Sequence, residues 1–275
     1  MSNQSQNEKL DWIVKELCID SVKYKDLKVR IEDRRNIMHS LMNIRMPKPI
    51  SQEFIEIQDE FLKQESVEKG IITIDNIPTI QEEYHSTHPY AEKISLWQGD
   101  ITRLQVDAIV NAANAQMLGC FVPGHSCIDN AIHSAAGIEL REECYEYMRR
   151  RRNEDKNYEE PTGSAILTKG YNLPCKHVIH TVGPIVYSKL TEAIKGDLRN
   201  CYNSCLQIAV DHGIKTIAFC CISTGEFRFP NEEAAKIAMK SIQEFLDRNA
   251  EKVDRIIINV FKNVDLEIYK ELIVK

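Results

Sequence analysis

Before residue 71, apolar side chains recur at helical spacing in three stretches. Leu10, Ile13, Val14 and Leu17 share one face of a helix over Glu8–Cys18. Ile31, Ile37, Leu41 and Ile44 support a second over Leu27–Ile44, which stops before Pro47 and Pro49. A third opens at Ser51, a good N-cap, carries Phe54 and Ile55 behind it, and closes at Gly70. The stretch from Ile71 to Tyr90, with Pro78, Pro89 and scattered polar residues, suits a connector.

From Ile94 the period changes to short β-rich runs alternating with helices. Strands are expected at Ile94–Gln98, Ala108–Asn111, Ser164–Lys169, His177–Val182, Thr216–Ile222 and Arg255–Phe261. Helices are expected at Ile128–Ala136, Glu139–Arg151, Lys195–His212, Glu232–Asn249 and Asp265–Leu272. In the helix from Glu232, Ala234, Ala238, Ile242, Phe245 and Leu246 lie on one face, and Pro230 sits where its first turn begins. Strands separated by helices imply an α/β fold: a mostly parallel sheet covered on both faces, with its ligand site in the loops at strand ends.

With 275 residues the chain accommodates one large domain or two smaller ones, and the texture divides it at about residue 90. Residues 1–90 form a helical extension and connector, and 91–275 the α/β domain. At 43% hydrophobic residues there is enough apolar material for a sizeable core, which excludes a disordered chain. A formal net charge of −6 without a basic face argues against a general nucleic-acid binder. The run from Ala108 to Ile128 lacks Asp, Glu, Lys and Arg, but its Asn, Pro, Gly and His residues exclude a membrane span. The start, MSNQSQNEKLDW, shows no secretory pattern. Nine unevenly spaced cysteines then read as reduced thiols of a cytoplasmic protein, some of them available to metal. Arg149–Arg152 reads as a solvated helix end whose cations suit the C-terminal dipole.

Two segments carry candidate chemistry. Cys120, His125 and Cys127 stand as C-x4-H-x-C within one loop containing Pro and Gly. Thiolate and imidazole are donors that zinc prefers, and three of them leave a fourth position open. The same spacing also suits two buried thiols with a loop histidine, so spacing leaves both readings standing. Ser223-Thr224-Gly225-Glu226-Phe227 follows an apolar strand and precedes a helix. A turn of small residues there can present consecutive N–H groups to a pyrophosphate, although such turns also serve as plain joints.

Six motifs in one order resemble the macrodomain family, which binds ADP-ribose. They are GDIT from Gly99, VDAIVNAAN from Val106, IDNAIHSAAG from Ile128, VIHTVGP from Val178, STGEFRFP from Ser223 and IINVF from Ile257. The resemblance covers about residues 93–275 and leaves the first 90 unexplained. It implies a three-layer α/β/α macrodomain with a mixed, mostly parallel central sheet, preceded here by the helical extension. Many catalytic macrodomains follow NAAN with a glycine run. Here GCFVPGHSC replaces it, which resembles the microbial, zinc-dependent branch that removes ADP-ribose from proteins. That resemblance implies a Zn2+ cofactor held by Cys120, His125 and Cys127 beside the distal ribose.

Residue roles follow from the same resemblance. Asp100 would accept from the adenine amino group, as an acceptor-only carboxylate suits, and Ile101 would offer its N–H. Asn114 would hold the distal ribose near the scissile bond, and Asn111 would pin the loop to backbone. Asp129 would orient or deprotonate the attacking water, with His133 on the same helix face. Ser223, Thr224, Gly225 and Glu226 would wrap the phosphates, with Gly225 taking the special backbone angle. Phe227 would close over the distal ribose and Phe261 stack on adenine. His177 and His180 read as satisfied structural histidines, and Cys201, Cys205, Cys220 and Cys221 as buried thiols.

The implied function is a zinc-dependent hydrolase acting on mono-ADP-ribosylated protein, at an ester to Asp or Glu. The implied associates are a sirtuin-type ADP-ribosyltransferase and a lipoyl-carrier protein of the glycine-cleavage H type. The alternatives are a reader that binds ADP-ribose without cleaving it, and a hydrolase of O-acetyl-ADP-ribose.

Overall fold

The computed structural model describes residues 4–274. The extension consists of α1 (Gln6–Asp20), α2 (Arg34–Ile44) and α3 (Gln52–Lys69). Ser5 and Glu8 cap α1 reciprocally, and Ser51 caps α3 through Phe54 N–H. Leu10, Ile13, Val14, Met38, Leu41, Phe54 and Phe61 bury into a core of the extension's own. Helix α2 starts seven residues later than its periodicity predicts. Leu27 and Ile31 remain exposed, so nothing buries the helical stripe they would have formed.

The stretch read as a connector holds β1 (Ile72–Thr73) and α4 (Ile80–Tyr84), and Ile77 and Ile80 join the main core. There follow β2 (Ile94–Gln98), β3 (Leu104–Gln105), β4 (Ala108–Ala113), α5 (Ile128–Ala136), α6 (Ile138–Glu154), β5 (Ala165–Lys169), β6 (His177–Val182), α7 (Glu192–Asp211), β7 (Thr216–Phe219), α8 (Asn231–Asn249), β8 (Arg255–Val260) and α9 (Asn263–Ile273). The main sheet runs β2-β8-β7-β4-β6-β5; only the β5–β6 pairing is antiparallel. Helices cover both faces, giving the three-layer α/β/α architecture with a mixed, mostly parallel sheet. Along β6, His180 meets Cys144 of α6 while Thr181 faces away from it, the period of two that a doubly covered strand requires.

The extension docks on α5, α6 and the turn between β5 and β6 through buried and partly buried polar contacts. Gln58, fully buried, accepts from Ile138 N–H at 3.0 Å and so caps α6. Ser134 Oγ donates to Asn43 Oδ1 at 2.9 Å, and Asn172 Nδ2 to Asp59 Oδ1 at 2.7 Å.

Because β2, β8, β7 and β4 are parallel, their C-terminal ends open at one edge. In sheet order that edge presents Asp100, Phe261, Ser223 and Asn114.

Candidate active site

Strands β7 and β8 end earlier than their apolar runs, at Phe219 and Val260, so the chain leaves the ladder before reaching the chemistry. Gly99 N–H donates to Val260 O at 3.0 Å, and Gln98 Nε2 reaches Phe261 O at 3.3 Å, which sets Asp100 beside Phe261. Phe261 is 74% exposed, so its ring is open to a ligand and takes no part in the core. Asp100 Oδ1 accepts from Thr102 N–H at 3.0 Å and Thr102 Oγ1 at 2.7 Å, capping a short 3-10 turn. A carboxylate has acceptor capacity beyond these two bonds. Ile101 is buried, and among the described residues nothing pairs with its N–H.

The 223–229 turn departs from expectation in one respect. The left-handed backbone angle falls on Ser223 (φ 65°) and Arg228 (φ 57°), not on Gly225. Phe229 N–H bonds back to Ser223 O and Arg228 N–H to Gly225 O, both at 3.0 Å, and these two residues turn the chain. No hydrogen bond among the described residues uses the N–H groups of Gly225, Glu226 or Phe227, so three consecutive donors stand free. Ser223 Oγ is buried without a partner. It lies where a Cβ on Gly183 would stand, which explains why the turn from β6 needs glycine there. Phe227 is half-buried, and its carbonyl accepts from Val186 N–H.

Asn114 starts the next loop. Its Nδ2 donates to Gly119 O at 3.1 Å and its Oδ1 accepts from Gln116 N–H at 3.0 Å. One N–H and one lone pair of the amide stay uncommitted. Asn111 does not bond backbone as expected. Fully buried beneath α5, it donates through Nδ2 to Asp129 Oδ1 at 2.8 Å and contacts His180 Nδ1 at 3.1 Å.

Asp129 is 5% exposed at the start of α5. Burial pushes its carboxyl up to about 6, against the Asn111 bond and the charge of Arg141, which favour the anion. His133 Nε2 lies 3.5 Å from Asp129 Oδ1 without hydrogen-bond geometry, and burial holds that imidazole neutral. His180 is satisfied, with Thr168 Oγ1 2.9 Å from Nε2.

The ligand atoms of Cys120, His125 and Cys127 lie within 4.8 Å of one another, all three residues half-buried. Cys120 Sγ is 3.5 Å from His125 Nδ1. Cys127 is the N-cap of α5 and accepts from Asn130 N–H. Asn130 Nδ2 also donates to Val122 O and His125 O at 3.0 and 3.1 Å, which folds the loop over itself. Burial, reinforced by Cys120, pushes the Cys127 thiol up to about 11. Two thiols and an imidazole converging in one loop fit a zinc ion, whose charge would reverse that shift and ionise both sulfurs. His125 Nε2 lies 3.4 Å from Glu226 Oε1, the carboxylate–histidine contact that orients metal-binding imidazoles. That contact also joins the 119–127 loop to the 223–229 turn.

Three participants were not legible as such in the sequence: Asn130, Glu226 as the partner of His125, and Arg141. Only Arg141 left a trace, a lone charge on the buried stripe with Leu140, Cys144 and Met148. Of the four consecutive arginines, Arg149 pairs with Glu146, Arg151 covers the Tyr147 and Tyr158 rings, and Arg152 donates to Tyr158 O.

Residues 110–238 match the family model described as Macro domain. The chain is 39% identical over 270 residues to a protein-ADP-ribose hydrolase of Treponema medium, spanning 98% of this chain and 99% of that protein. It is 40% identical over 241 residues to a protein-ADP-ribose hydrolase of Staphylococcus aureus strain MSSA476, spanning 87% and 85%. A Trypanosoma brucei macrodomain solved in complex with ADP-ribose superimposes with a TM-score of 0.62 at 28% identity, over 85% of this chain and 94% of that one.

Proposed function

The chain belongs to the macrodomain family, and from that premise we propose that it is a zinc-dependent hydrolase releasing mono-ADP-ribose from ADP-ribosylated protein. The observation that carries the reading is the Cys120–His125–Cys127 donor set standing next to Asp129, at the strand ends that also gather Asp100, Ser223 and Phe261.

The order of residues along that edge matches the order of groups along ADP-ribose. Asp100 and Ile101 meet the adenine edge while Phe261 stacks on its face. The free N–H groups of Gly225, Glu226 and Phe227 receive the pyrophosphate, and Ser223 Oγ offers a further polar group. Phe227 lies over the distal ribose, and the uncommitted half of the Asn114 amide binds its hydroxyls. Asp129, aimed by Asn111, orients the attacking water and accepts its proton. Bound zinc would supply Lewis acidity and a fixed point for the distal ribose, tempered by two thiolate charges.

The linkage proposed is an ester to an acidic side chain. The proposed setting is cytoplasmic reversal of a sirtuin-type ADP-ribosyltransferase acting on a lipoyl-carrier protein. No helix among the described residues is long and apolar enough to cross a membrane.

The test is release of ADP-ribose from protein modified on acidic residues, by metal-stripped enzyme with and without restored zinc. Release that requires zinc is expected. Binding of free ADP-ribose without release, zinc restored, would make the chain a reader; cleavage of O-acetyl-ADP-ribose alone would move the substrate to a small metabolite.

A further inference from the structure

Arg141 belongs to the macrodomain helix α6, yet its strongest partners are in the extension. It is 4% exposed, and its Nη1 donates to Met42 O at 2.7 Å and Arg45 O at 2.8 Å. Those carbonyls lie at the C-terminus of α2, where the helix dipole favours a cation; Met42 O also accepts from Arg45 N–H. The guanidinium also lies 4.7 Å from the centre of the Phe121 ring. Phe121 directly follows Cys120 in the metal loop. A Cβ on Gly119 would stand 3.0 Å from Arg141 Nη2, so the start of the loop rests against the same group.

One planar cation thus has the end of α2 on one side and the residues flanking Cys120 on the other. Other ties of the loop lie elsewhere: Asn114 holds Gly119 O, Asn130 holds Val122 O and His125 O, and Glu226 contacts His125. The Phe121 side chain has no other anchor of this kind among the described residues. We propose that Arg141 is a positioning residue through which the N-terminal helical extension holds the 119–127 loop in its metal-binding shape. This rests on the zinc reading above. It gives the extension a role in the chemistry: the end of α2 is the fixed point from which the placement of Cys120 is set.

The test uses the full chain carrying Arg141→Met, Arg141→Lys or Phe121→Leu, with circular dichroism and thermal unfolding to confirm folding. Zinc affinity is measured by competition with a chromogenic chelator, and loop order by protease cleavage within 119–127 of the metal-free chain. Arg141→Met and Phe121→Leu should each weaken zinc binding about 10- to 100-fold, the usual effect of losing an outer partner of a metal site. Cleavage of the loop should be faster in both. Arg141→Lys, which keeps a cation but not the planar fork that bonds both carbonyls and covers the ring, should fall between wild type and Arg141→Met.

Phe121 is only half-buried, so that variant keeps the test open if Arg141→Met fails to fold. Zinc affinity and cleavage unchanged in Arg141→Met, or Arg141→Lys no better than Arg141→Met, would reduce Arg141 to a packing group and overturn the inference. Wild-type chain that binds no zinc would instead refute the zinc reading itself. Cleavage of the loop would then still report whether Arg141 anchors it.

Discussion

The bond from Asn111 Nδ2 to Asp129 Oδ1 can be tested by a double-mutant cycle. Asn111→Ala removes that 2.8 Å bond and the 3.1 Å contact with His180 Nδ1. A hydrogen bond to a charged group is worth about 1.5–3 kcal/mol and a neutral one about 1 kcal/mol. Against this, Asn111 Oδ1 is buried without a partner, and deleting it returns about 1–3 kcal/mol. The net cost of Asn111→Ala is therefore small, between about 0 and 3 kcal/mol, read as a lower midpoint in urea unfolding. The coupling with Asp129→Ala should be larger, about 1.5–3 kcal/mol, since it isolates the carboxylate bond. In hydrolysis, Asn111→Ala should lower kcat by up to about 100-fold with zinc content unchanged, because Asp129 loses the group that aims it. Additivity of the two substitutions within about 0.5 kcal/mol would show that Asn111 does not hold Asp129, and the assignment of its role would fail.

Phe261→Ala should weaken ADP-ribose binding by about 1–3 kcal/mol, the worth of a base–aromatic stack, and leave stability untouched; calorimetry with free ADP-ribose reads both sides of that statement. Glu226→Gln should cut zinc affinity by about 10-fold in chelator competition through its contact with His125, whereas a glutamate serving phosphate by its backbone alone would show no change. Glu65, 1% exposed, is held down to about 2 from 4.5: burial opposes the shift, and His39 and Lys69 overcome it. The unfolded chain therefore binds the extra proton between these values, so stability present above about pH 4.5 is lost as pH falls towards 2, by at most about 3 kcal/mol. Acid unfolding of Glu65→Gln should lack that slope, and an unchanged slope would assign the acid transition to other carboxylates.

Sequence alone determined the alternation of strands and helices from Ile94 onward, the covered parallel sheet, and the motifs that name the family. Period and burial are local consequences of residue order, so Phe54, Ile109 and Ile242 announce their interior positions by spacing. It also determined that Cys120, His125 and Cys127 converge, because they are close along the chain and a short loop leaves them little room to part. Even within a turn, however, Gly225 was the obvious candidate for the special angle, and the return bonds of Phe229 and Arg228 put it on Ser223 and Arg228 instead. Leu27 and Ile31 have helical spacing, but no surface buries them, and α2 begins only at Arg34.

What tertiary structure decided are the contacts between residues remote in sequence. Asn111 meets Asp129 because β4 runs beneath α5; Glu226 meets His125 because two strand-end loops converge; Arg141 meets Met42, Arg45 and Phe121 because the extension docks on α6. Partnership of a buried polar group depends on which surfaces close over it, and no periodicity in the chain encodes that closure.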